Sequence, residues 1–247
     1  PTAVAEAVVA RVRAEGADAG LGVLPWDEEA LGLRARLALL HEHLGEPWPD
    51  MSDAALAERA EEWLAPAVTS LAGQAGGANG ANGPGGSASG SGSRRFNLER
   101  LDVAQALRAL LPWPQAARLE ELVPERIEVP SGSQVRVDYT PAVGAAGSAA
   151  PVDPAEAGRT GRPVLAVRVQ ECFGWAATPR IVEGRVPVLL HLLSPARRPV
   201  AVTDDLASFW EQGYPQVRAE MRGRYPKHAW PEDPWNAPAT RGTGRRR

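Results

Sequence analysis

The chain has 247 residues, 44% of them hydrophobic, and a formal net charge of −3, which is enough for one or two globular cores at about 100–200 residues per domain. A single cysteine excludes a framework of disulfide bonds, and no apolar run approaches the ~20 residues of a membrane-spanning helix. We therefore expect a cytoplasmic protein with no membrane partner.

Charge is distributed unevenly along the chain. Residues 1–70 carry five basic against thirteen acidic side chains, a net charge of −8, whereas residues 94–247 carry 22 basic against 17 acidic, a net charge of +5. Because phosphate groups are attracted to basic surfaces, the second half is the better candidate for contact with nucleic acid.

Residues 1–70 show the apolar spacing of three helices. The first is predicted over residues 3–15, and the second over residues 27–44 with a glycine directly after it. A third helix follows Ser52, a candidate N-cap, and we expect Pro66 to kink or end it.

Low-complexity composition sets the predicted domain boundaries. Residues 71–93 are rich in Gly, Ala and Ser, which predicts a flexible linker after the helical segment 1–70. An α+β domain is expected over residues 94–234, with a disordered insertion at 141–162. Residues 235–247 are expected to form a disordered basic tail.

Helix and strand patterns alternate after the linker. Residues 97–111 show an amphipathic helical period, which a Pro-Trp-Pro sequence ends before a short helix that runs to Leu122. Apolar residues then alternate with polar ones from Ile127 to Tyr139, on both sides of a Pro-Ser-Gly-Ser turn. This period of two predicts a hairpin with one buried face.

A second hairpin is predicted from apolar runs at 186–193 and 200–202, which flank a turn at 194–199. Residues 163–173 fit either a strand or a helix, and a proline at the start with a glycine after the end favours the helix. The predicted fold class is α+β: a helical segment, a flexible linker, and a small antiparallel sheet of two hairpins packed by helices.

The last segment predicted to be structured has the start and stop residues of two consecutive helices. Thr203 is a candidate N-cap, followed by two aspartates that suit the positive end of a helix dipole. Gly213 suits a left-handed stop, and Pro215 suits the first position of a second helix that is predicted to end at Gly223.

Four blocks of sequence resemble, in order and approximate spacing, the C-terminal region of the HrpB family of bacterial DEAH/DExH-box helicases. These blocks are Leu24–Gly45, Leu101–Tyr139, Pro163–Thr203 and Thr203–Pro234. The resemblance covers nearly the whole chain outside the two low-complexity segments.

The resemblance implies that the parent chain is an ATP-dependent helicase whose upstream motor domains bind ATP and Mg²⁺ and move along RNA or another single-stranded nucleic acid. Residues 1–70 would end the helical domain behind the motor. The whole region would brace the motor and contact the nucleic-acid backbone. The alternative is a protein-interaction module of the same helicase, with an unidentified protein partner and no direct nucleic-acid contact.

The segment itself lacks the residues of a nucleotide site. Lys227 is the only lysine of the chain and lies in a Tyr-Pro-Lys-His sequence, so no glycine-rich loop ending in Lys and Ser or Thr can be built. An Asp-Glu-Ala-His run is also lacking. We therefore expect the segment to have no cofactor and no catalytic residue, and to continue a longer protein because it begins with Pro1.

Candidate metal ligands are few. His41 and His43 are two residues apart on a predicted helix, so their side chains diverge, and His191 lies in an apolar strand. Cys172 has no Cys-x-x-Cys partner and sits among apolar residues. We expect neither a zinc site nor a reactive thiol.

Several tryptophans adjoin prolines. Trp26, Trp48 and Trp113 are predicted to clamp loops against the core, because a large buried ring beside a fixed turn does this well. Clamping is also the favoured role of Trp230, but this residue lies beside basic residues and is therefore a candidate for stacking on a nucleic-acid base as well.

The candidate nucleic-acid-binding residues are arginines, a lysine and this tryptophan. Arginine suits phosphate because its planar fork donates two parallel hydrogen bonds. Arg197 and Arg198 fall at the tip of the second predicted hairpin. The others cluster near the C-terminus and are Arg218, Arg222, Arg224, Lys227 and Trp230. The competing interpretation is a solvated helix face, or salt bridges to nearby acidic residues.

Overall fold

The computed structural model describes residues 1–14, 21–76, 96–141 and 161–243. The chain forms two compact units, Pro1–Ala117 and Arg118–Arg247. Most of the predicted linker, nearly all of the predicted insertion and the last four residues of the predicted tail lie outside the described residues. The predicted α+β class is confirmed, since helices and a sheet are both present.

The first unit is built from helices. They are α1 (Thr2–Ala14), α2 (Glu28–Leu44), α3 (Asp53–Glu58), α4 (Ala60–Gly76), a 3₁₀ turn (Leu98–Arg100), α5 (Val103–Arg108) and the start of α6 (Trp113–Leu122). Local caps set several of these boundaries. Asp27 accepts a hydrogen bond from the Ala30 N–H at 2.8 Å, and Ser52 caps α3 in the same way. Gly45 ends α2 with a φ of 66°.

The third predicted helix differs from the structure at its end. It breaks at Arg59, and α4 continues through Pro66 to Gly76, six residues into the segment expected to be a linker. Proline removes one N–H, which would have bonded to the carbonyl of Glu62. Because Glu62 is exposed, water can satisfy that carbonyl, and the helix tolerates the proline.

The core of the first unit lies among helices α1 to α5. Its largest fully buried side chains are Trp63, Leu37, Leu39, Leu40, Leu56, Leu64 and Leu107. The Trp63 indole N–H donates to the Leu56 carbonyl at 3.0 Å. Trp48 is also buried, and Trp26 donates to the Leu21 carbonyl at 2.9 Å. The predicted role of Trp113 is wrong, because its side chain is 82% exposed.

The single helix predicted over residues 97–111 is also wrong. Asn97 caps a 3₁₀ turn by accepting from the Glu99 N–H, and Asp102 caps α5 by accepting from the Gln105 N–H at 2.7 Å. Asp side chains compete with the backbone for such bonds, so Asp102 starts a new helix within the apolar period.

The second unit centres on a mixed five-stranded sheet. Its strands are β1 (Arg126–Glu128), β2 (Gln134–Asp138), β3 (Val164–Arg168), β6 (Leu189–Leu193) and β7 (Pro199–Thr203), in the order β1-β2-β3-β6-β7. The short strands β4 (Arg180–Ile181) and β5 (Val186–Pro187) form a separate pair. Both predicted hairpins are present as the antiparallel pairs β1–β2 and β6–β7.

The prediction of a purely antiparallel sheet is corrected by β3. This strand joins the two hairpins and runs parallel to β6, with Val164 opposite Leu189. The helix favoured for residues 163–173 is therefore wrong. Leu165 and Val167 are buried while Ala166 between them is exposed, as the period of two requires. A 3₁₀ turn, Val169–Glu171, follows the strand.

The C-terminal helices form one continuous run. It comprises α7 (Leu206–Ser208), a π-helical segment (Phe209–Gly213) and α8 (Tyr214–Arg224). The predicted cap Thr203 is wrong, since it ends β7 and Asp205 caps α7 by accepting from the Ser208 N–H at 3.0 Å. The predicted stop at Gly223 is also wrong by one residue, because α8 includes Arg224.

Gly213 is needed for space and not for a left-handed turn. Its φ is −89°, an ordinary helical value, but a Cβ atom at this position would lie 2.7 Å from Cδ2 of Phe209. The Phe209 ring belongs to an aromatic cluster with Trp210, Tyr214 and Phe173. The Trp210 indole donates to the Trp175 carbonyl at 2.8 Å. Within the described ranges, no helix is long and apolar enough to cross a membrane.

Candidate nucleic-acid interface

The β6–β7 turn presents two exposed arginines on a well-bonded backbone. The Arg197 N–H donates to the Ser194 carbonyl at 2.9 Å, and the Arg198 N–H donates to the Ser194 hydroxyl at 3.1 Å. Ser194 is buried, and its own N–H donates to the Arg198 carbonyl at 2.8 Å. The structure thus places Arg197 and Arg198 at a hairpin tip, as their sequence position predicts.

The basic residues of α8 and the following loop divide into two kinds. Arg222 and Lys227 are exposed, and neither has an acceptor among the described residues. Arg224 pairs with Glu220 at 3.4 Å, one helical turn earlier, with both side chains more than half exposed. Such an exposed pair contributes at most about 1 kcal/mol and opens readily.

Arg218 and Trp230 support the loop itself. Arg218 Nε donates to the Trp230 carbonyl at 2.9 Å, and its Nη2 lies 3.1 Å from a Glu232 carboxylate oxygen. Trp230 is buried, and its indole N–H donates to the Tyr225 carbonyl at 3.0 Å. These bonds hold the 225–232 loop against the end of α8, so both side chains are occupied within the fold.

The turn and the loop are neighbours in the structure. Pro195 of the β6–β7 turn and His228 of the loop after α8 line the same narrow pocket. Its other lining residues are Arg168, Gln170, Thr240, Arg241 and Gly242. The fold therefore brings the Arg197 and Arg198 tip beside the loop that carries Lys227. Nothing in the spacing of the sequence marks Arg168, Gln170 or Thr240 as neighbours of either group.

A buried carboxylate organises this end of the unit. Glu171 accepts hydrogen bonds from Ser133 at 2.6 Å and Ser131 at 3.1 Å, and from Arg168 Nε at 2.9 Å. Burial by itself raises the pKa of Glu171, but the bonds from Ser133 and Arg168 outweigh it and hold the pKa below its usual value. Arg241 Nε donates to the Ser131 carbonyl at 3.0 Å.

These contacts tie the start of the predicted tail to the fold. The Thr240 N–H donates to the Gln170 carbonyl at 2.9 Å, and the Gly174 N–H donates to the Pro234 carbonyl at 2.9 Å. The segment from Pro234 to Arg241 thus packs on the β1–β2 turn and on the 3₁₀ turn after β3.

The candidate metal ligands have other surroundings. His41 Nδ1 lies 2.7 Å from the Trp48 carbonyl, and His191 is half-buried in β6. Cys172 is fully buried, and burial together with the Glu171 charge raises the pKa of its thiol. In the part of the chain with described coordinates, no three His, Cys, Asp or Glu side chains group so as to hold a metal ion.

Comparison with known proteins decides the family. A family model described as the C-terminal region of ATP-dependent helicases, HrpB type, matches residues 88–234. The chain belongs to the HrpB C-terminal family. The resemblance drawn from the four sequence blocks is thereby confirmed.

Known HrpB proteins match this chain over most of its length. It is 40% identical over 227 residues to the "ATP-dependent RNA helicase HrpB" of Escherichia coli K12, a match that covers 92% of this chain and 23% of that protein. The crystal structure of the E. coli DExH-box NTPase HrpB matches 94% of this chain and 24% of its own, with 37% identity and a TM-score of 0.68. A second crystal structure, of the E. coli DEAH/RHA helicase HrpB, matches 92% of this chain and 23% of its own, with 35% identity and a TM-score of 0.61.

The chain therefore spans about a quarter of the length of these HrpB relatives.

Proposed function

We propose that this chain is the C-terminal accessory region of an ATP-dependent RNA helicase that works in the cytoplasm. The proposal is supported by the 40% identity to a relative that bears this activity in its name. ATP and Mg²⁺ would bind to motor domains of the parent protein outside this chain. Its sole lysine, Lys227, stands in a Pro-Lys-His sequence, where no phosphate-cradling loop can form.

We further propose that the second unit contacts the backbone of single-stranded RNA and braces the motor that moves along it. The observation that carries this is a set of exposed cations on adjacent segments, without acceptors in the described residues. They are Arg197, Arg198, Arg222 and Lys227. Arginine and lysine on a surface of this kind bind phosphates without reading sequence.

Arg218, Arg224 and Trp230 take secondary roles in this proposal. Arg218 and Trp230 position the loop that carries Lys227, through the bond from Arg218 Nε to the Trp230 carbonyl. Arg224 joins the contact surface when its exposed pair with Glu220 opens.

Binding of single-stranded RNA at several salt concentrations tests the proposal. Arg222→Gln removes one exposed cation and should make the dependence of log K on log salt shallower by about 0.7, the share of one phosphate contact on a single strand. Arg100→Gln is the matched control. It removes one exposed arginine from the first unit and should leave both affinity and slope unchanged.

If the wild-type chain binds RNA and Arg222→Gln has the same dependence of log K on log salt, Arg222 is not part of the contact surface. A pull-down of the parent helicase's partners that survives nuclease treatment, together with no RNA binding by the wild-type chain, would favour the protein-interaction module instead.

A further inference from the structure

Five of the seven residues that line the narrow pocket beside the β6–β7 turn have side chains that can donate hydrogen bonds. Its lining residues, named here the donor pocket, are Arg168, Gln170, Pro195, His228, Thr240 and Arg241, with Gly242 at the edge. None of these side chains is acidic. The donor pocket lies between the turn that carries Arg197 and the loop that carries Lys227.

Two polar groups buried here have no hydrogen-bond partner among the residues that the structure describes. Gln170 is only 3% exposed, yet its Nε2 amide has no acceptor there, and the hydroxyl oxygen of the half-buried Thr240 is buried and likewise unpartnered. Leaving buried polar groups unpaired destabilises a fold, so native proteins keep few of them and often for a reason of function. Two such groups lining one pocket point to a ligand that accepts hydrogen bonds.

The charge of the donor pocket favours an anionic ligand. Arg168 uses Nε for Glu171, and Arg241 uses Nε for the Ser131 carbonyl. Their terminal Nη nitrogens have no acceptor among the described residues. The Glu171 carboxylate cancels one of the two charges, but its oxygens are already held by Ser131, Ser133 and Arg168. One positive charge therefore remains for the pocket.

We propose that the donor pocket binds one phosphate group of the nucleic-acid backbone, an inference that rests on the proposed RNA contact. Gln170 Nε2, the Thr240 hydroxyl and the Nη nitrogens of Arg168 and Arg241 donate to its oxygens, and the His228 ring faces the same space. A phosphodiester is favoured over a free phosphate because two of the lining residues have exposed cations near them in the chain, Arg197 two residues after Pro195 and Lys227 directly before His228.

Entry requires a movement of Arg241. As it stands the pocket has no room for a water-sized sphere, so it must widen before a phosphate can enter. Arg241 is exposed, and its Nη2 lies over Gly132, where a Cβ atom would be only 2.8 Å away. This long side chain can swing outward, admit the phosphate and then close over it with a charged hydrogen bond.

The test uses variants that keep side-chain size and remove one donor, Gln170→Leu and Thr240→Val, in the full 247-residue chain. Each should unfold at an equal or higher temperature than wild type, because an unpaired buried group is lost. Each should also bind a short single-stranded RNA about tenfold more weakly, the effect of one hydrogen bond to a charged group. A purely structural role predicts a lower melting temperature instead.

Gln115→Leu is the matched control, because the Gln115 side chain also has a buried oxygen with no partner in the described ranges but does not line the donor pocket. It should raise the melting temperature without weakening RNA binding. A parallel calorimetric titration with inorganic phosphate tells whether the pocket binds free phosphate or a phosphate of the nucleic-acid backbone.

Weaker binding of both RNA and inorganic phosphate in the two pocket variants supports the proposal. Loss of inorganic phosphate binding with unchanged RNA affinity would overturn the assignment to the nucleic-acid backbone. Unchanged binding of both, while the wild type binds RNA, would overturn the donor pocket and leave the proposed function standing. A wild-type chain that does not bind RNA would refute the proposed function and the backbone assignment together.

Discussion

Two glycines in the C-terminal helical run should respond to alanine in opposite ways. A Cβ atom at Gly213 would lie 2.7 Å from Cδ2 and 3.1 Å from Cε2 of Phe209, whereas at Gly223 it would meet nothing within 4 Å. Both residues lie in helical backbone. Alanine is favoured over glycine there by up to about 1 kcal/mol.

The contact with Phe209 decides whether alanine at position 213 raises or lowers the free energy of unfolding. Overpacking a well-filled core costs about 1–3 kcal/mol, and the aromatic cluster leaves the ring little room, with Phe209 and Trp210 centroids 5.2 Å apart. We expect Gly213→Ala to lower the free energy of unfolding by about 1 kcal/mol after the helix gain. Gly223→Ala should raise it by about 0.5–1 kcal/mol.

Urea denaturation, monitored by tryptophan fluorescence, measures both effects. The dependence of the free energy of unfolding on urea concentration is fitted with one common slope for wild type and variants. A double-mutant cycle supplies a second check: in a Phe209→Leu background, Gly213→Ala should cost less than it does in the wild type, since the smaller side chain leaves room for the added Cβ atom. If Gly213→Ala is as stabilising as Gly223→Ala, the close approach of the Phe209 ring is not what requires glycine.

Two further predictions concern the pH dependence and the tryptophans. Because hydrogen bonds lower the pKa of Glu171, its contribution to stability is full above the unfolded-state pKa and is lost as pH falls through the folded-state value. Thermal unfolding from pH 7 to pH 3 should therefore show a loss on acidification that is smaller in Glu171→Gln, and equal pH dependence in the two proteins would contradict this. Trp63 is 1% exposed and bonded to the Leu56 carbonyl, so Trp63→Ala should lower the free energy of unfolding by about 3–5 kcal/mol. Trp113 is exposed, so Trp113→Ala should change that free energy by no more than about 0.5 kcal/mol. Equal losses of stability in the two variants, measured by urea denaturation, would refute the contrast.

Helix boundaries set by local hydrogen bonds were predictable. Asp27 and Ser52 bond to amides three residues ahead, and Gly45 needs only its own left-handed φ. The hairpins were predictable for a similar reason, since their alternation and turns lie within short stretches. In each case the deciding interaction joins residues close together in the chain.

Competing local signals produced the errors. Asp102 interrupts an apolar helical period because its side chain caps a new helix. The stretch at 163–173 has the end residues of a helix, but the parallel partner of β3 is β6, and Val164 lies opposite Leu189. The apolar spacing of the stretch also fits a strand, but it does not show which distant strand would pair with it.

The candidate interface was predictable only in part. The basic composition of residues 94–247 indicated which half of the chain to consider, and the positions of Arg197 and Arg198 at a hairpin tip followed from the turn. The sequence did not show which of these cationic side chains already bond to acceptors within the fold. Arg218 looks equivalent to Arg222 in sequence, yet it donates to the Trp230 carbonyl and pairs with Glu232.

The order of residues alone determined the family, the α+β class and the capped helices, because sequence motifs, caps and period-two alternation act over a few positions. Tertiary structure decided the parallel strand at the centre of the sheet and the requirement for Gly213. It also decided the meeting of Gln170, Thr240 and Arg241 around one pocket. Those features depend on packing between distant segments, where shape and unpaired donors exist only after the chain has folded.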